Sequence, residues 1–128
     1  LFRTEKALVP YLKSLEGDIF LSRGNTAQAK AAYSIALKEA PLTASALFGM
    51  GRIMILSHDQ KRGALYLERA LRIRPDLLEA HYLLGSLLEK SNPISAKKHL
   101  EIFTKLAATD PDFISEVEAS RKILRASK

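Results

Sequence analysis

Apolar residues recur along this chain at i, i+3, i+4 and i+7, the spacing that lines one face of an α-helix, in stretches of roughly four turns separated by short polar breaks. The pattern predicts helices over residues 10–22, 26–40, 44–57, 60–73 and 78–90, a sixth starting at Asn92, and a last one over 112–126. Pro10 suits a first helical turn, where a missing N–H costs nothing. Arg23-Gly24-Asn25, His58-Asp59 and Ser91-Asn92-Pro93 break the pattern, and Pro41 and Pro75 stop it. Residues 26–40 show the apolar face best, with Ala29, Ala32, Tyr33, Ala36 and Leu37 on one side. Asp59 and Asn92 are placed to cap the helices that follow them, and residues 112–126 set Phe113, Val117, Ser120 and Leu124 on one face.

The helices repeat in pairs. Gly17, Gly51 and Gly85 stand 34 residues apart, as do Pro41 and Pro75, which is the length of one helix-turn-helix hairpin stacked on the next. A glycine inside a helix costs about 1 kcal/mol against alanine, so close approach of the paired helix must compensate. Ala29, Gly63 and Ala96 are the small residues expected opposite, with Phe20, Met54 and Leu88 and then Tyr33, Leu67 and Leu100 filling the seam. These residues resemble the tetratricopeptide repeat family. The second unit reads Leu47, Met50-Gly51, Met54, Gly63, Leu67, Ala70, Pro75, and the third reads His81, Leu84-Gly85, Leu88, Ala96, Leu100, with Pro111 late. The first keeps Gly17, Phe20, Ala29, Tyr33, Ala36 and Pro41. The resemblance spans about residues 10–111 and implies an all-α solenoid of antiparallel hairpins, wound as a right-handed superhelix, in repeats 10–43, 44–77 and 78–111 with a capping helix at 112–128.

Departures from the family pattern carry information of their own. Lys13 and Glu16 stand where it has large apolar residues, so the outer side of the first hairpin is expected to be an exposed end, partly covered by residues 1–9 (Phe2, Ala7, Leu8) as the stub of a preceding helix. The third repeat has a turn one residue shorter, and Phe103 replaces the alanines at 36 and 70, so the helix after it should pack differently. A chain opening on Leu1 rather than Met is expected to be a segment of a longer protein, and the long last hairpin resembles bacterial examples.

Composition rules out more than it assigns. With 47% hydrophobic and 27% charged residues the 128-residue chain can bury a core, and without cysteine it has no disulfide or thiolate chemistry. Charged residues interrupt every helix, so no membrane span is expected. His58, His81 and His99 are 23 and 18 residues apart with no paired spacing, so no metal site is expected, and His58 occupies the turn position of Gly24. No nucleophile elbow or phosphate loop occurs, and Asp110 and Asp112 read as a helix cap rather than a carboxylate pair. Neither catalysis nor a cofactor is expected.

Function is therefore expected on the surface. The first helix of each pair has a stripe away from the seam: Tyr11, Ser14, Asp18 and Leu21; then Ser45, Phe48, Arg52 and Ile55; then Glu79, Tyr82, Ser86 and Glu89. By resemblance these line a concave groove that holds a peptide or helix of a partner protein, with Phe48 and Tyr82 as anchors outside the seam and Arg52 beside them. Family members that clamp the carboxylate tail of chaperones use lysine, asparagine and arginine on this stripe. The matching residues here are Ser14, Asp18, Gly49, Glu79 and Leu83, which disfavours that role. Two alternatives remain: self-association into a homo-oligomer, and, less favoured, a nucleic acid or lipid headgroup. The net charge of +6, with Lys61, Arg62, Arg69, Arg72 and Arg74 gathered on one helix and Lys97 and Lys98 on another, is the basis of the second.

Overall fold

The computed structural model describes residues 2–127, and their side chains from residue 6 onward. Every regular element in that span is helical: α1 (Phe2–Ser22), α2 (Thr26–Glu39), α3 (Ala44–Leu56), α4 (Gln60–Ile73), α5 (Leu78–Leu88), α6 (Pro93–Ala107), a 3₁₀ turn (Pro111–Phe113) and α7 (Ile114–Ala126). They form two compact units, Leu1–Pro75 and Asp76–Lys128. In the first unit α1 pairs with α2 and α3 with α4, and α3 also packs on α2 and α1. In the second, α6 packs on both α5 and α7.

Local chemistry sets the boundaries. Gly24 and His58 occupy equivalent turns with φ of 78° and 64°, left-handed values open to glycine and reached by few other residues. The Asp59 carboxylate accepts from the Arg62 N–H, and the Asn92 side chain from the Ser95 N–H, so the expected caps of α4 and α6 form. Asp110 accepts from the Asp112 N–H at 2.9 Å, which makes the Asp-Pro-Asp segment a cap. The N-terminus differs from expectation. Pro10 lies inside α1 rather than in its first turn, because residues 2–9 hold no breaker and continue the helix through it. Inside a helix a proline costs about 3 kcal/mol, offset in part here because the ring is buried.

The core of the first unit is built around Tyr33, which is fully buried among Ala29, Ala36, Ala46, Met50, Ile53 and Met54, with Phe20 and Leu21 packed against them. Its ring lies between two glycines: a methyl group at Gly17 would stand 2.5 Å from it, and one at Gly49 closer still. The α3–α4 seam is as close, since a methyl at Gly51 would come within 3.2 Å of the Gly63 carbonyl, and one at Gly63 within 3.2 Å of the Gly51 carbonyl. In the second unit Leu84, Ala96 and Leu100 are buried along α5 and α6, and a side chain at Gly85 would strike Leu100. Phe103 accounts for the altered third hairpin. Buried with Ala107 and Val117, it meets Phe113 edge-on at 5.7 Å and Tyr82 at 5.2 Å, so α7 packs on an aromatic cluster rather than on an alanine seam.

Gly49→Ala is expected to destabilise the chain by about 1–3 kcal/mol through overpacking. Combined with Tyr33→Leu, it should cost less than the sum of the two single changes, because both act on one contact. Thermal melts followed by circular dichroism check the cycle, and strict additivity would place the ring elsewhere.

Candidate functional site

On the face that α1 and α3 share, the tyrosine of α2 reaches through the gap the glycines leave. The Tyr33 hydroxyl donates to the Asp18 carboxylate at 2.5 Å, a charge-assisted bond. Burial, then that bond and the Asp18 charge, push the phenol well above its usual pKa, and the positive charge of Arg52 acts the other way. One turn along α3, the Arg52 guanidinium sits 5.6 Å from the centre of the Phe48 ring. Arg52 is exposed, and among the described residues it has no carboxylate partner. An apolar ring, a free cation and an anchored carboxylate therefore occupy one face.

The residues expected on the stripe do not all stand free. Tyr11 is exposed, whereas Ser14 is only 1% exposed and its hydroxyl is 2.7 Å from that of Ser45, so it joins α1 to α3 and leaves the surface. Burial at 14 reflects its place in the contact between α1 and α3. Leu21 is half-buried against the Tyr33 cluster, and Ile55 is half-buried with a side-chain carbon 2.8 Å from where a Gly63 Cβ would lie. In the second unit Glu79 and Ser86 are exposed, Ser86 donating to the Tyr82 carbonyl at 3.0 Å. Tyr82, expected outside the core, packs on Phe103 and so carries structural weight. Sequence reading set Tyr33 in the seam, where it is buried, but missed its hydroxyl's bond to Asp18 and the contact of its ring with Gly49. The signal was present in Gly49-Met50-Gly51: two glycines in one helix face different ways, so they serve two different seams.

Outside this face, the structure pairs His81 with His99, which the spacing had not suggested. Their Nδ1 atoms are 3.0 Å apart, one ring donating and the other accepting, with centroids at 5.2 Å. Burial, then the neighbouring His81, lowers the His99 pKa. Among the described residues no group of three or more potential ligands could hold a metal ion. The basic residues of α4 are partly engaged, Arg62 with Asp59 at 3.5 Å and Arg69 over the Tyr66 ring at 5.7 Å. Two open hollows, about 190 Å³ against α6 and α7 and about 260 Å³ beside Tyr66, are smaller than the pockets that hold drug-sized ligands. No helix of the described residues is long and apolar enough to cross a membrane.

No family model and no curated protein matches the sequence. Solved structures do match. The first tetratricopeptide domain of Spaghetti (RPAP3), bound to the HSP90 peptide SRMEEVD, superposes with a TM-score of 0.76 at 15% identity, covering 93% of this chain and 95% of that one. The TPR2B domain of yeast Sti1, in a complex with Hsp70, gives 0.75 at 15% identity, covering 94% and 99%. The C-terminal tetratricopeptide-containing domain of a Plasmodium falciparum putative FK506-binding protein gives 0.73 at 17% identity, covering 97% and 93%. The fold is that of the tetratricopeptide helical repeat.

Two pH dependences follow. The Tyr33 pKa is higher folded than unfolded, so its contribution is complete below about pH 10 and falls as pH rises further, when only the unfolded chain loses the proton. Tyr33→Phe should cost about 1 kcal/mol at neutral pH, at the low end for such a bond because Asp18 is exposed, and should flatten the alkaline fall. His99 has the opposite sign. Its folded pKa is depressed, so its contribution is complete above about pH 6.5 and is lost as pH falls. Melting midpoints should drop as pH falls below about 6.5, and His99→Gln should reduce that drop; equal slopes in both proteins would contradict it.

Proposed function

We propose that this chain is a non-catalytic protein-interaction module that holds a peptide or helix of a partner on the α1–α3 face of its first unit. The observation that carries the reading is the exposed, unpaired Arg52 guanidinium stacked on Phe48, beside the Tyr33–Asp18 bond. Such a face suits a ligand segment with an apolar side chain for Phe48 and a carboxylate for Arg52. Stacking holds the guanidinium in place before binding, so less freedom is lost when a carboxylate arrives. Tyr11, Leu21 and Ile55 border the same stripe as apolar surface. Glu79, Tyr82 and Ser86 form the corresponding stripe in the second unit.

Domains of this fold that carry chaperone peptides, as two of the similar structures do, support peptide binding as a class of function. A chaperone tail is a poor fit for this chain. The positions that would supply its cationic clamp hold the buried Ser14, the carboxylates Asp18 and Glu79, Leu83, and Gly49 beneath the Tyr33 ring. The basic face of α4 is the weaker reading, since Arg62 and Arg69 are already engaged within the chain.

Peptide arrays that vary apolar and acidic positions independently would test the reading, probed with wild-type chain and variants. Phe48→Ala should weaken bound peptides by about 2 kcal/mol, as hot-spot truncations do. Arg52→Glu should abolish binding of acidic peptides and spare neutral ones. Lys61→Glu with Arg62→Glu should change neither, and binding that instead followed this pair and fell steeply with salt would replace the reading with an anionic partner on α4.

A further inference from the structure

Helix α1 is apolar on two opposite faces. One packs into the first unit through Pro10, Ser14 and Gly17, all buried. The other presents Leu8, Leu12, Leu15 and Ile19, exposed by 46%, 56%, 40% and 52%. Their 4-3-4 spacing is the a/d seam of a coiled coil, and Val9 and Tyr11 flank it. A helix apolar all round is ordinarily a covered one. Elsewhere among the described residues no helix exposes more than three large apolar side chains.

The repeat itself shows what belongs on this face. One repeat later, the positions of Leu12, Leu15 and Ile19 are held by Ala46, Gly49 and Ile53, all buried where α3 packs on α2. The partner there is a helix that lays the Tyr33 ring against a glycine. On α1 the glycine position is Leu15, into which such a ring would collide. The occupant must instead bring aliphatic knobs at coiled-coil distance, about 8–10 Å between axes. Among the described helices, α1 alone has that stripe.

We infer that the Leu8–Leu12–Leu15–Ile19 stripe is a self-association surface, on which two copies of the chain pair α1 against α1 through a two-fold interface. In the antiparallel register Leu12 of one copy meets Leu15 of the other, and Leu8 meets Ile19. Glu16 and Asp18 then fall beside Val9 and Tyr11 of the other copy, so no carboxylate faces another. A specific pair needs about 1,000 Å² of buried surface, and the four stripe residues with Val9 and Tyr11, each between 37% and 56% exposed, are the surface that supplies it.

Light scattering on the whole chain at about 50 µM, well above a micromolar dissociation constant, should give twice the 14.2 kDa chain mass. Leu12→Lys with Leu15→Lys should give the monomer mass with unchanged helicity, since neither side chain is in the core; should that protein fail to fold, Leu12→Gln with Leu15→Gln replaces it. The absence of cysteine permits a direct check of register. Mixed Leu12→Cys and Leu15→Cys chains should form a disulfide-linked heterodimer on oxidation, whereas a Glu118→Cys pair should not. Phe48→Ala should leave the dimer intact, since that side chain is on α3 and outside the stripe, so loss of peptide binding and loss of the dimer are distinguishable. A monomeric wild type, as expected were the stripe reserved for a helix of another protein, overturns the inference, as does a dimer that survives the lysine or glutamine substitutions or the absence of the Leu12–Leu15 cross-link.

Discussion

The packing of the first unit depends on one ring held between two glycines. Tyr33 is the largest fully buried side chain of the unit, and it is accommodated because neither Gly17 nor Gly49 has a side chain to exclude it. The cost of two mid-helix glycines, about 1 kcal/mol each, is exchanged for an aromatic ring on α2 that packs against both α1 and α3. The same gap leads the hydroxyl to the far surface, where Asp18 receives it. A core contact thereby becomes part of an exposed polar cluster. Ser14 and Ser45, hydrogen-bonded between α1 and α3, show how near those helices run on that side.

This constraint explains why the expected binding stripe survives only in part. Helical spacing places Tyr11, Ser14, Asp18 and Leu21 on one face, but the width of that face depends on how closely α3 approaches. The approach is close, so Ser14 is enclosed, Leu21 is half-covered and Asp18 is tied to Tyr33, while Arg52 stays exposed over a half-buried Phe48 ring. In the second unit the aromatic cluster of Phe103, Phe113 and Tyr82 has the organising part that Tyr33 has in the first. It draws Tyr82 inward and sets α7 on a broader seam. The two units thus reach the same hairpin architecture by different packing.

α1 differs from the other helices in what its outer face requires. Positions 12, 15 and 19 correspond to residues that are covered one repeat later, yet they are leucines and an isoleucine rather than the polar residues that close the end of a helical array. Lys13 and Glu16, an ion pair at 3.1 Å on the helix flank, provide charge beside the stripe without interrupting it.

Read alone, the chain determined the helices, their pairing into hairpins and most of their boundaries, because these follow from local quantities: 3.6-residue periodicity, caps at Asp59 and Asn92, left-handed turns at Gly24 and His58, and a 34-residue glycine repeat. Phe103 even announced the altered third hairpin, since a bulky residue in an alanine position must displace its neighbour. Tertiary structure alone decided which exposed-looking positions are enclosed and which distant ones meet. Ser14 with Ser45, Tyr33 with Asp18, and His81 with His99 are brought together by the distance between helix axes. That distance is set by the side chains of two helices at once, so no single helix's periodicity encodes it. Pro10 makes the same point within one helix: its ring costs α1 a backbone hydrogen bond wherever it falls inside the helix, and burial of that ring helps offset the loss.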